Sequence, residues 1–283
     1  MKEYFFGHYF KCQSKDGTAA VIPAIHKRGG KTSASVQIIT DGGAWNVPFS
    51  ASDYRKLGDG FSVSVGKSGF RRDGITLSIK TDEVEACGDV GFGDFSPIHG
   101  DIMGPFRFVP FLECRHEVVS MGHTLSGSLT VNGKRFDFTD GKGYIEGDRG
   151  RSFPEVYLWT HTFFPGGSLM LSVAKIPFGF MDFTGIIGVI MKDGKEYRIA
   201  TYRGAKVKKI GGGAALIRQG KYALTAKLTE KRSFPLCAPQ NGEMTRTIRE
   251  GASCRARYTF KRGDETILDT ECDNASFEYE YPE

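Results

Sequence analysis

Apolar and polar side chains alternate in short runs along most of the chain, and small turn dipeptides punctuate the runs. Ser128-Leu-Thr-Val131, then Asn132-Gly133, then Lys134-Arg-Phe-Asp-Phe138 is one such unit. Two runs of period two flank a dipeptide suited to a left-handed turn, so the segment is predicted to be a β-hairpin. The same reading covers Ile186 to Met191 and Tyr197 to Tyr202 around Lys192-Asp193-Gly194. Further Asp-Gly pairs stand at 16–17, 41–42, 73–74 and 140–141. Helical periodicity is scarce: Ser50 to Leu57 and the segment near Ala214 are predicted to carry a turn or two of helix. Many short strands at this spacing predict an all-β chain of antiparallel barrels or sandwiches, not a parallel nucleotide-binding sheet.

The pattern is interrupted at Asp94 to Pro110, where three prolines, three phenylalanines and two glycines fall among few charges. A domain boundary is expected there, dividing the chain into 1–103 and 104–283. The 283 residues suffice for one large β domain or two ordinary ones. The 37 glycines are nearly twice the usual share of about 7%, in keeping with a turn-rich fold. A formal charge of +5 is spread thinly, and its densest stretch, Arg203 to Lys209, holds four cations beside a single aromatic residue. No nucleic-acid partner is expected on that basis. The start, Met-Lys-Glu-Tyr-Phe-Phe-Gly, lacks the basic-then-apolar order of a secretory signal, and nowhere do about eighteen apolar residues run together. A cytoplasmic protein is expected, with its six dispersed cysteines reduced and structural.

Common catalytic signatures fail on inspection. Gly29-Gly30-Lys31-Thr32 ends like a phosphate loop, but Ile25 stands where the first glycine belongs; Gly211-Gly212-Gly213 meets Leu216 where a dinucleotide fingerprint needs glycine. His116-Glu117 starts like a zinc-protease motif and finds Ser120 at the second histidine position. Gly150-Arg-Ser152-Phe-Pro154 lacks the closing glycine of a serine-hydrolase elbow. Neither a metal nor an organic cofactor is expected.

The informative segment runs from Gly104 to Phe164. It contains Gly104-Pro-Phe-Arg-Phe-Val-Pro-Phe111, Cys114-Arg-His-Glu-Val-Val-Ser-Met-Gly-His123 and Gly143-Tyr-Ile-Glu-Gly-Asp-Arg-Gly-Arg-Ser-Phe-Pro154. Together with Gly7-His8-Tyr9-Phe10-Lys11 near the start, these blocks resemble the tocopherol cyclase family, which is related to carotenoid hydratases. The resemblance implies two lipocalin-like antiparallel β-barrel domains, the second carrying the Gly-Tyr-Ile-Glu block. It also implies cofactor-free, acid-promoted closure of a prenylated quinol, with peripheral membrane contact as one way to collect such a substrate. At four positions the chain departs from the family pattern: His8, Gly147 and Arg149 replace Trp, Lys and Trp, and His161 replaces Gln.

In a strand, Tyr144, Glu146 and Asp148 share a face if pairing stays regular through Gly147. If that face is inward, Glu146 enters the barrel cavity. The chemistry needs an acid that is still protonated near neutral pH, which desolvation of a carboxyl group supplies. Glu146 is therefore the candidate general acid, helped by Tyr144, with His116 orienting it or relaying a proton and Asp148 in reserve. Tyr157, Trp159, His161 and Phe163 alternate along one strand and form an aromatic face with a polar handle, the candidate substrate wall. Plainer readings stay open: an ion pair of Glu146 with Arg149 or Arg151, a structural His116, and ordinary core packing of the aromatic residues. At the level of function, a non-catalytic carrier of an apolar ligand and an isoprenoid hydratase stand beside the cyclase.

Overall fold

The computed structural model describes residues 3–110, 112–178 and 181–282, with side chains 178, 181 and 182 left aside. Phe111, in one of the resembling blocks, lies outside the described residues. Strands make up 71% of the chain and no α-helix is present among the described residues, as the alternating pattern predicts. No helix there is long and apolar enough to cross a membrane.

The strands fall into two antiparallel sheets. The first uses β1 (Tyr4–Ser14), β2 (Gly17–Arg28), β3 (Lys31–Thr40), β4 (Gly43–Ser50), β5 (Tyr54–Lys56), β6 (Val63–Val65), β7 (Ser68–Arg71), β8 (Gly74–Lys80), β9 (Glu85–Phe92), β10 (Cys114–Val131), β11 (Lys134–Asp137) and β12 (Lys142–Gly150). Its order is β4-β3-β2-β1-β12-β10-β9-β8-β7-β6-β5, with β11 paired to β10. The second uses β13 (Tyr157–Phe164), β14 (Gly167–Phe178), β15 (Met181–Lys192), β16 (Lys195–Ala200), β17 (Lys206–Gly211), β18 (Ala214–Gln219), β19 (Tyr222–Glu230), β20 (Phe234–Gln240), β21 (Glu243–Arg262) and β22 (Glu265–Tyr279). It runs β16-β15-β14-β13-β22-β21-β19-β18-β17, with β20 paired to β21.

The two orders follow one plan. Each begins with a four-strand meander and ends with a second meander, and a pair of strands far along the chain joins the two. In each, the terminal strands of the order are sequence neighbours separated by a three-residue 3-10 turn, Ala51–Asp53 or Thr201–Arg203. The expected barrels are therefore not closed by strand pairing among the described residues. At the first seam, Asp53 caps its own turn through Ser50 (2.9 and 3.1 Å) instead of leaving the backbone to a ladder. A single apolar cluster nonetheless draws side chains from all twelve strands of the first sheet, Phe10, Val21, Val36, Val65, Phe70, Leu129 and Ile145 among them. The sheet curls around that core.

Two compact units interleave along the chain: 1–97, 116–153 and 236–247 form one, and 98–115, 154–235 and 248–283 the other. This differs from the division expected at residue 103. Strands β10 and β12 lie beyond that residue, yet β10 pairs with β9 and β12 with β1. Long-range ladders, not chain position, set unit membership.

Both predicted hairpins form, with Asn132 and Gly133 (φ 48° and 79°) and Asp193 and Gly194 (φ 49° and 75°) in the left-handed region. Ala214 opens a strand instead of a helix, because Ala215 and Ile217 alternate into the second core. Ser50 to Leu57 yields only the short 3-10 turn. The six cysteines are free thiols, Cys12 and Cys254 buried as expected and Cys87 exposed.

Candidate functional site

Strand β12 is unbroken, and its ladder to β1 runs without a shift from Phe5↔Gly150 to Gln13↔Lys142. Gly147 does not interrupt it, so Tyr144, Glu146 and Asp148 project from one face. Ile145, on the other face, enters the apolar core. Glu146 thus lies on the side of the sheet away from that core, and not within it as the cavity expectation required. It is buried all the same, at 4% exposure, beside a fully buried Tyr144. The register sets Tyr9 opposite Glu146 and Lys11 opposite Tyr144, and both are buried on the same face.

Strand β10 lies next to β12 in the sheet and brings in His116. Its Nδ1 donates to Asp148 Oδ1 at 3.0 Å, and its Nε2 stands 3.1 Å from Glu146 Oε2. Tyr144 donates its phenol proton to the same Glu146 Oε2. Asp148, His116, Glu146 and Tyr144 thus form one cluster, hydrogen-bonded at its two ends and joined in the middle by the charge contact of His116 Nε2 with Glu146 Oε2, which lacks hydrogen-bond geometry. Burial opposes a charge on His116, but the carboxylates of Glu146 and Asp148 outweigh it and hold the imidazole pKa well above its ordinary value. Burial raises the Glu146 carboxyl above the usual range, with His116 pulling the other way. Burial first, then the charge of Glu146, pushes the Tyr144 phenol well above its usual value. The raised imidazole and carboxyl groups favour holding a proton within the cluster, whose inner end at Glu146 and Tyr144 is buried.

The plain ion-pair reading for Glu146 gives Arg149 a different partner. Arg149 sits on the opposite face of β12, with Nη1 3.9 Å from Glu117 Oε2. Glu117 also meets buried His8, Nε2 to Oε1 at 3.2 Å, and that hydrogen bond holds its carboxyl below the usual range. A Cβ added at Gly147 would stand 2.7 Å from His8 Cδ2 and 3.1 Å from Glu117 Oε1. His8 and Gly147, separate departures from the family pattern in sequence, are one steric arrangement in space. His123 belongs to this core side as well: it packs against Phe92 and Phe95 and takes no part in the His116 cluster.

His116, Glu146 and Asp148 also offer one ligand atom each, all within 4.8 Å of one another. A divalent cation would fit this donor set only by displacing the proton His116 holds between the two carboxylates, since metal ligation needs neutral imidazole.

Tyr157, Trp159, His161 and Phe163 lie in the other unit. They share the face of β13 opposite Leu158, which enters the second core, and all four are buried. The reading by alternation is accurate here. Tyr157 donates its hydroxyl to the buried carboxylate of Glu278, and the ladder sets Glu278 opposite both Trp159 and Glu250. Neither glutamate is evident as a site residue in sequence. The period-two pattern Ser276, Glu278 on β22 was available, but its pairing with β13 spans more than a hundred residues and leaves no local signal.

No protein-family model matches the chain, and no curated protein matches it. Solved structures do. CghA with Sch210972 superposes with a TM-score of 0.63 at 9% identity, covering 99% of this chain and 89% of that one. CghA by itself gives 0.62 at 9%, covering 99% and 88%. Kievitone hydratase from Nectria haematococca gives 0.58 at 11%, covering 99% and 89%. At such identities the likeness establishes a shared fold. Tocopherol cyclase is not among these three names.

Proposed function

We propose that this protein is an acid catalyst for an apolar, isoprenoid-like ligand, working at Glu146 without an organic cofactor. The observation that carries this reading is the cluster of Asp148, His116, Glu146 and Tyr144, with Glu146 and Tyr144 buried at its inner end. We assign the transferable proton to the Glu146 carboxyl group. That proton passes to one carbon of a trisubstituted double bond, whose π electrons form the new C–H bond, and a tertiary cation is left on the other carbon. In the cyclase that the tocopherol cyclase resemblance implies, a phenol oxygen of the same molecule closes on the cation. Its proton then returns to the Glu146 carboxylate, and His116 and Asp148 keep the charge balanced. Tyr157, Trp159, His161 and Phe163 on β13 are proposed separately, as an aromatic ligand-binding face of the second unit.

A second reading replaces the phenol by water, making a hydratase. Two observations favour it: the fold likeness to kievitone hydratase, and the Asp148 side chain, 22% exposed, which leaves the outer end of the cluster open to water. Incubation with a prenylated quinol distinguishes the two, since cyclisation leaves substrate mass unchanged and hydration adds one water. In either case Glu146→Gln is expected to lower turnover by about 10²–10⁴-fold. Undiminished turnover in that variant would end the assignment, and substrate bound but never converted by the unaltered protein would leave a carrier.

A further inference from the structure

Residues 203–229 contain seven Lys and Arg and no Asp or Glu, a local excess larger than the net charge of the whole chain. The second sheet gathers these cations. Val207, Ile217, Leu224 and Phe260 pair across β17, β18, β19 and β21 and point into the core. The neighbouring positions point outward: Lys206 pairs with Arg218, and Ala223 with Lys261, while Ala214 pairs with Lys227. A register shift between Val207 and Lys209 leaves both Lys208 and Lys209 exposed. Among the described residues none of these six cations lies within ion-pair distance of a carboxylate. Asp269 and Glu271, on β22 beside β21, are taken by Arg257 and Arg255 at 3.1 and 2.9 Å.

Edge protection does not account for the pattern. Lysines that guard an edge strand belong on that strand, which here is β17, whereas Arg218, Lys227 and Lys261 stand on strands further into the sheet. Next to this face opens a cleft of about 820 Å³ whose walls include Arg203, Lys221 and Arg262, with Glu265 the one carboxylate. Glu265 is already paired to Arg262 at 2.8 Å, so Arg203 and Lys221 are left to face the opening.

We infer that the outer face of β17–β19, continued onto β21, docks on an anionic lipid membrane. The chemistry favours a membrane over nucleic acid. Five of the six cations are lysines, compact point charges without the planar fork that reads phosphates in pairs. The outward residues between them, Ala214, Leu216, Ala223, Thr225 and Thr259, include no aromatic ring on which a base would stack. A sheet face carrying distributed charge suits a planar anionic surface, where each cation contributes about five-fold in partitioning. The docking surface stands independently of the chemistry at Glu146.

Co-sedimentation of the full chain with vesicles tests this. Binding is expected to vesicles of phosphatidylcholine with phosphatidylserine, to be absent with phosphatidylcholine alone, and to be lost at high salt. The variant Lys206→Gln/Lys209→Gln/Lys227→Gln should bind on the order of 100-fold more weakly. Arginine at the same three positions should preserve binding, as should Lys15→Gln/Lys31→Gln/Lys67→Gln in the other unit. Failure to bind the anionic vesicles, equal binding to neutral ones, or full binding by the first variant overturns the inference. So does displacement from the vesicles by a single-stranded oligonucleotide at lower phosphate concentration, which would assign the face to nucleic acid.

Discussion

Gly147 leaves no room for a side chain, although its backbone is ordinary extended strand. The space a Cβ would take is filled by the ring of His8 and the carboxylate of Glu117. Gly147→Ala is expected to cost about 1–3 kcal/mol as the ring is forced aside, read as a lowered midpoint in urea. His8→Ala in the same chain should recover most of that loss, and failure of the double variant to recover it would show that the clash lies elsewhere. At this scale much of the candidate site's geometry is legible: alternation puts Tyr144, Glu146 and Asp148 together, and His116 stands beside them. What the local pattern could not show was that His8 and Gly147 answer each other, because they meet only through the β1–β12 ladder.

Among the elements, the non-strand stretch 98–108 is clamped by the buried Arg198 together with its neighbours Glu196 and Tyr202. Arg198 on β16 donates to the carbonyls of Asp101 and His99 (3.0 Å each), to the Tyr202 hydroxyl (3.1 Å) and to Glu196 (2.7 Å). Tyr202 in turn donates to the Ile102 carbonyl, and its ring lies against Gly104. Arg198→Met would leave Glu196 with only the backbone and ring nitrogens of His99 as partners, and would free the two carbonyls. A loss of about 3–5 kcal/mol in the second unit is expected, as for other broken buried pairs. Limited proteolysis should then cut first between residues 98 and 110; unchanged resistance would show that the clamp is dispensable. The sequence announced this stretch as a break in the strand pattern. It did not announce the clamp, since Arg198 sits in an unremarkable alternating run. The segment at Ala214 misleads for a related reason: its composition suits a helix, while the ladders on either side demand a strand.

For the molecule as a whole, stability against pH is governed by histidines in opposite environments. Burial lowers the pKa of His26 and of His123 to about 4. Their stabilisation is complete above the unfolded value near 6.5 and is lost as pH falls toward 4, by roughly 3 kcal/mol each at full extent. Glu146 and His116 are raised instead, so what they contribute is present below their unfolded values and is lost as pH rises through the folded ones. Urea unfolding across a pH series should show an acid limb that flattens in His26→Gln/His123→Gln. The alkaline limb should flatten in Glu146→Gln. Limbs that keep their slopes in these variants would assign the pH dependence to other groups.

Sequence alone was enough to establish the all-β character, the positions of the hairpins and the alternation that puts the acid residues on one face and the aromatic residues of β13 on another. These are local properties, set by backbone period and turn chemistry within a few residues. Tertiary structure decided which face of β12 meets the apolar core, how β10 and β12 join the first unit, and that Tyr157 answers Glu278. Alternation defines two faces without ranking them, and where both faces of a strand are buried, hydrophobicity cannot say which is the core. Only the registers of ladders between distant strands carry that information.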